Sequence, residues 1–222
     1  MNRFLDRNNS FFMTLERMAN FCILNVLTLV CCLPLITAGA SIAAGNRVMQ
    51  SMLTDGEVHI VKTFFQVFWS NFWQSTALGI IALLVIGFLG FDFLVVGYFS
   101  SGVAYITLHP YATIAMYVIL GIIALICVGT ATYAFAMVAR YEETLWGHLS
   151  NAFYLVFHKL PRTICMVAIT LSPIWLALIS LYWFLSYISL VLWAVIGISC
   201  ILYLVTLLVM PVFAQLEADE GK

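Results

Sequence analysis

Charge is the scarcest feature of this 222-residue chain. Lys, Arg, Asp and Glu make up 9% of it, against 64% hydrophobic residues. A soluble domain carries about 25% charged residues. So little charge cannot hold a folded surface in water, so the solvent is a bilayer and the chain is an integral membrane protein. Nine Lys and Arg against ten Asp and Glu leave a net charge of −1, which provides no basic face for nucleic acid. No Pro/Gly/Ser-rich linker or low-complexity tract divides the sequence, so residues 1–222 read as a single integral membrane domain.

Chemical motifs are missing too. There is no P-loop, no HExxH and no GxSxG, so no enzymatic activity and no cofactor are expected. The cysteines are Cys22, Cys31, Cys32, Cys127, Cys165 and Cys200. They form no CxxC and pair with no His at zinc-ligand spacing, so no metal site is expected. They read as small hydrophobes buried inside the protein. His59, His109, His148 and His158 all fall at or near predicted interfaces, where an imidazole is usually solvated.

The chain is rich in long apolar runs. Four are unambiguous: Gln74 to Tyr98, Tyr111 to Val138, Thr163 to Leu185, and Ile188 to Phe213. Each supplies the ~20 residues that cross ~30 Å of hydrocarbon as a helix. The fold class is therefore all-α and polytopic. Basic residues fall in three clusters: Arg3, Arg7 and Arg17; Arg47 and Lys62; and Arg140, Lys159 and Arg162. The connection from Phe99 to Pro110 and the link near Ser186 carry no charge. Positive residues mark cytoplasmic loops. The clusters and both termini are thus predicted cytoplasmic, and the uncharged links external, in a multi-pass membrane protein.

A fifth apolar region, Met18 to Ala44, is harder to read. The basic clusters on either side of it share one side of the membrane, so it crosses an even number of times. Pro34 lacks an amide proton and biases Leu33 away from helix, and Thr37 is a candidate N-cap for a second helix. The spacing predicts a hairpin with arms from about Asn8 to Cys32 and from Ala38 to Leu53, its turn near the outer surface. That gives six membrane-crossing helices. A re-entrant hairpin, or five helices with a kinked first one, are the alternatives. A signal-peptide reading of Ala38-Gly39-Ala40 would leave Arg47 and Lys62 outside, against the charge pattern. Gly39 and Ala43, Ala40 and Ala44, and Ser41 and Gly45 form small-xxx-small ridges that suit close helix packing within the chain, or a dimer interface.

Two cytoplasmic connections resemble each other. FFQVFWSNFWQST in the first, Val58–Trp73, parallels AFYLVFHKLPRTI in the second, Thr144–Pro161. In the first, Val61, Phe64, Phe68 and Phe72 oppose His59, Lys62, Thr63, Gln66 and Ser70. In the second, Leu149, Phe153, Val156 and Leu160 oppose His148, Asn151 and His158. Both read as amphipathic surface helices, and their placement points to an internal duplication. Trp69, Trp73 and Trp146 fit an interfacial aromatic belt.

Few polar residues sit inside the apolar runs. Asp92, within GFLGFDFLVVGYF, is a candidate proton or substrate site because intramembrane carboxylates are costly. It also lies near the predicted external end of its helix, where it can reach the interface. Asn25 is a candidate interhelical hydrogen bonder. On the cytoplasmic side Lys62, Arg140, Glu142, Glu143 and His158 are candidates for docking a partner. ARYEETLWGHLSNAFYLVFHKLP has the outline of the coupling loop of ABC-importer permeases, without its Glu-Ala-Ala and Asp-Gly pairs.

NVLTLVCCLPLITAGAS, TFFQVFWSNFWQST, and ARYEETLWGHLSNAF followed by KLPRT together resemble the YesL-like family of bacterial membrane proteins (domain of unknown function 624). The resemblance runs from about Leu15 to Leu216 and departs at Thr28, where a Trp is common. It implies a small polytopic plasma-membrane protein whose relatives are encoded beside carbohydrate ABC importers and glycoside-processing enzymes. No site residues come with it. The expected partners are the lipid bilayer and subunits of a carbohydrate ABC importer. The expected role is an accessory or permease-like component. A proton-coupled secondary transporter using Asp92, or a structural or regulatory protein without substrate, are the alternatives.

Overall fold

A computed structural model describes residues 10–54, 58–100, 109–173, 191 and 193–220. The described residues form eight α-helices and no strand. They are α1 (Ser10–Cys32), α2 (Ala38–Thr54), α3 (Ile60–Ser70), α4 (Phe72–Ser100), α5 (Pro110–Val138), α6 (Leu145–His158), α7 (Leu160–Thr170) and α8 (Ile198–Glu220). A π-turn, Trp193–Gly197, leads into α8. Much of the predicted external connection after Phe99, and the link near Ser186, lie outside the described residues.

Four of these segments are long and apolar enough to cross a membrane: Thr14–Cys32, Phe72–Ser100, Pro110–Val138 and Val195–Ala218. A fifth arises if α6 and α7, which meet at a 110° bend, make one broken span. The chain is thus an all-α polytopic membrane protein. The 17-residue α2 is not among these spans.

The predicted hairpin is present, with its arms within two residues of expectation. Leu33 and Pro34 break the helix, and a 3-10 turn, Leu35–Thr37, leads into α2. Thr37 does not act as the predicted N-cap. Its hydroxyl donates backwards, to the carbonyls of Cys31 (2.7 Å) and Pro34 (2.9 Å). The physical reason is that α1 ends at a proline-linked break and leaves carbonyls without intrahelical donors. The turn is not at the far end of the bundle either. Gly39, just past it, packs backbone to backbone on Gly79 in the first third of α4. The small residues of α2 serve packing within the chain: Gly39, Ala40, Ser41, Ala43, Ala44 and Gly45 are all buried.

The two similar connections fold alike. Residues 88 apart occupy matching places. Ile60 and His148, Phe64 and Ala152, Phe68 and Val156, Ser75 and Thr163, and Leu78 and Met166 are buried in both. Asn71 and Lys159 are the single-residue breaks, at φ/ψ of −107°/16° and −124°/42°. The amide of Asn71 donates to Val67 (3.1 Å) and that of Lys159 to Leu155 (2.9 Å). Each break carbonyl then accepts the amide four residues on, from Ser75 (2.9 Å) and Thr163 (3.0 Å). The preceding helix also presses a glycine on each second helix, Gly39 against Ser75 and Gly79, and Gly129 against Thr163 and Val167. The units α2–α3–α4 and α5–α6–α7 therefore share one plan.

The predicted faces of the short helices need correction. On α3 it is Ile60 rather than Val61 that joins Phe64 and Phe68 inside. On α6 His148 is buried with Ala152, Leu155 and Val156, while Phe153, predicted on the apolar face, is half exposed. The cysteines are not buried: Cys165 and Cys200 are exposed and the other four are intermediate. The exchange of His148 and Phe153 has a physical reason. Where hydrocarbon is the solvent, large apolar side chains lose little by facing it, and small or polar residues gain by facing other helices.

Candidate functional site

Both connections converge on one end of the bundle. The Asn71 side-chain amide donates to the Val138 carbonyl (3.3 Å) and that of Gln74 to the Glu143 carbonyl (2.6 Å). These bonds tie the start of α4 to the end of α5. The end of α8 joins them. Glu217 Oε1 accepts from Arg140 (2.8 Å and 3.0 Å) and from the Tyr141 hydroxyl (2.9 Å). The Arg140 guanidinium also lies over the rings of Phe213 and Tyr141. Lys159 Nζ donates to Gln215 Oε1 (2.9 Å). The C-terminal end of α8 is therefore on the same side as the α5–α6 connection.

At this junction Thr144 caps α6, its hydroxyl accepting the Gly147 amide at 3.2 Å. Beside it a cavity of about 270 Å³ opens between α5, α6 and α8, lined by Tyr141, Glu143, Asn151, Tyr154, Leu216 and Glu217 among others. Asn151 donates to Glu143 Oε2 at 3.0 Å. His158 stacks on Tyr154 at 5.2 Å. The rim thus carries two carboxylates, one of them neutralised by Arg140, with aromatic walls. That is chemistry for holding a hydrogen-bond donor or a cation. A second, apolar cavity of about 390 Å³ lies between α4, α5 and α6, lined by residues including Leu78, Ile86, Cys127 and Trp146.

Of the predicted docking residues, the fold gathers Arg140, Glu143 and His158 around the first cavity. Glu142 is exposed beside them. Lys62 is exposed on α3, which packs on α1, α2 and α4. Asn25 is fully buried, and its Oδ1 accepts the Ser199 amide at 3.1 Å while the Ser199 hydroxyl donates to the Phe21 carbonyl at 2.9 Å. It joins α1 to the start of α8, where a π-turn has just interrupted the regular ladder. Asp92 is half-buried on α4, lines neither cavity, and is 20 residues from Phe72. No group of three or more potential metal ligands occurs among the described residues.

Sequence reasoning missed two buried polar groups, His148 and Gln50. His148 is 1% exposed and neither ring nitrogen has a partner among the described residues. Burial pushes its pKa below the usual imidazole value, opposed by the nearby Glu143 carboxylate. Gln50 donates across to the Ala136 carbonyl at 3.1 Å, leaving its own Oε1 without a donor among the described residues. The pairing of His148 with Ile60 under the 88-residue offset is the signal that could have revealed its burial.

A family model described as "Protein of unknown function, DUF624" matches residues 21–93. That stretch, about a third of the chain, is similar to the DUF624 domain, which YesL-like proteins carry, in line with the resemblance of the sequence. The DUF624 match takes in the hairpin from Phe21 onward, α3 and α4 as far as Phe93, so Asn25, Lys62 and Asp92 lie within it. The cavity beside α6 lies outside it. No curated protein and no solved structure matches the chain.

Proposed function

We propose that the protein is a non-enzymatic accessory or permease-like component of the plasma membrane that docks subunits of a carbohydrate ABC importer on the face around α6. The carbohydrate connection rests on the family resemblance. The docking connection rests on the cavity bounded by Glu143, Tyr154 and Glu217, which opens at the basic, cytoplasm-facing end of the bundle assigned by the charge pattern. Tyr154, on the wall of this cavity, is exposed on α6. Aromatic residues are enriched where proteins meet partners. The test is affinity purification in mild detergent from cells expressing an importer. Its subunits co-purify with the native chain, and a Glu143→Gln/Tyr154→Ala variant loses most of that recovery while inserting normally. Equal recovery of importer subunits with the variant rules out this face.

A further inference from the structure

We propose that the α1–α2 hairpin is re-entrant, and that its tip, Leu33 to Ile36, is a lipid-contact surface held within the hydrocarbon core, reaching neither aqueous face. Three independent observations carry this. The first is depth, with α4 as the ruler. Gly79, against which Gly39 packs, is seven residues past Phe72 and 21 before Ser100. At 1.5 Å per residue the tip stands near a point about 10 Å into α4 and about 30 Å short of its far end.

The second is the shared plan of the two units. The 88-residue offset sets Ala38, the first residue of α2, opposite Ile126, close to the middle of α5. The first unit has a half-length helix where the second has a full span. The third is the chemistry of the tip. Leu33, Leu35 and Ile36 are 78%, 71% and 65% exposed, and they continue a stripe of exposed apolar residues on α1 that includes Val26 and Val30. A surface of this kind would be costly in water.

The backbone here is also provided for. A turn in hydrocarbon must satisfy its polar groups internally. The Leu33 amide donates to Val30 (3.3 Å) and the Thr37 amide to Pro34 (3.0 Å). The Thr37 hydroxyl serves the carbonyls of Cys31 and Pro34, and the Ser41 hydroxyl that of Thr28 (2.9 Å). Pro34 has no amide proton to satisfy. This arrangement also returns the chain to the side it came from, as the positive residues on both flanks require.

The experiment places a single cysteine at Leu35, or separately at Ile36, in a chain whose six native cysteines are replaced by Ala. Reference cysteines are placed at Lys62 and at Ser100. Each protein is reconstituted into phosphatidylcholine–phosphatidylglycerol vesicles. A membrane-impermeant maleimide is applied from each side. The expected result is labelling of the Lys62 and Ser100 sites from opposite sides, with tip labelling at least tenfold slower than either. An environment-sensitive fluorophore attached to the tip in detergent, before reconstitution, should be quenched by lipids brominated at mid-chain and not by iodide. Labelling of the tip at the Ser100 rate from the Ser100 side would show two full crossings and overturn the proposal. So would labelling at the Lys62 rate from the Lys62 side.

Discussion

Gly39 is the position where the fold leaves least room. A Cβ built on it would collide with the Ser75 carbonyl oxygen and lie 2.9 Å from Gly79 Cα. Both neighbours are backbone, so neither yields by rotating a side chain. Gly39→Ala therefore forces α2 and α4 apart along a buried seam. Overpacking of this kind costs roughly 1–3 kcal/mol. For a chain of this size each kcal/mol lowers Tm by about 2–4 °C, so the expected loss is about 2–12 °C.

Two further substitutions calibrate the result. At Gly129 the nearest atom to a new Cβ is the Thr163 Cγ2 methyl at 2.7 Å, a side chain with some freedom to move, so Gly129→Ala should lose less. At Gly87 nothing lies within 4 Å. Alanine there only restrains a helical backbone, so Gly87→Ala should be neutral or slightly stabilising. The assay is thermal unfolding in one detergent, followed by thiol exposure or light scattering. The predicted order of Tm is Gly87→Ala, then Gly129→Ala, then Gly39→Ala. A Gly39→Ala protein as stable as Gly87→Ala would refute the close approach of α2 and α4.

Three other outcomes are expected. His148 favours its neutral form when folded, so the unfolded chain binds more protons as pH falls. Stability should be constant above the ordinary imidazole value of about 6.5 and decline below it until pH passes the lowered folded pKa; His148→Gln should flatten that part of a Tm–pH curve. Asn25→Leu removes the acceptor of the Ser199 amide and should destabilise by roughly 0.6–2 kcal/mol in detergent unfolding, the range for interhelical hydrogen bonds in membranes. Asp92→Asn should leave insertion and partner recovery unchanged; complete loss of a measured proton-coupled flux with normal expression would favour a transporter instead.

The sequence made some parts of this fold legible for physical reasons. Apolar runs longer than the bilayer is thick have one stable solution, and α4 and α5 follow it with ends within a few residues of expectation. Pro34 interrupts a helix whatever surrounds it, so the hairpin break was readable too. The depth of that break was not, because it depends on Gly39 meeting Gly79, a contact between distant segments. Charge parity constrained the number of crossings to be even but could not distinguish two from none. Helix faces were the weakest reading. Amphipathic reasoning sent His148 outward and Phe153 inward, as it would in water. At the α5–α6 interface the reverse holds, because Ala152 and His148 face α5 while Phe153 borders an apolar groove. The docking residues other than Lys62 were legible as polar groups around one connection. Their convergence with Glu217 and Gln215 was not, since α8 returns from far along the chain.

The duplicated plan also bears on where function resides. The family match ends at Phe93 and so covers most of the first unit and none of the second. The second unit keeps the break geometry at Lys159 and the buried hydroxyl at Thr163, which are the parts its backbone needs. It differs at three matched positions: His148 replaces Ile60, Lys159 replaces Asn71, and Pro161 replaces Trp73. His148 lies in the electrostatic range of Glu143 and Lys159 reaches Gln215, so two of these three changes bear on the α6 face and its link to α8. Under the proposed docking role, a duplicated scaffold that preserves its turn and alters the groups around it separates folding from recognition. The docking face should therefore tolerate substitution without loss of insertion, as the Glu143→Gln/Tyr154→Ala test requires. The Gly39–Gly79 seam, which belongs to the part held in common, should not.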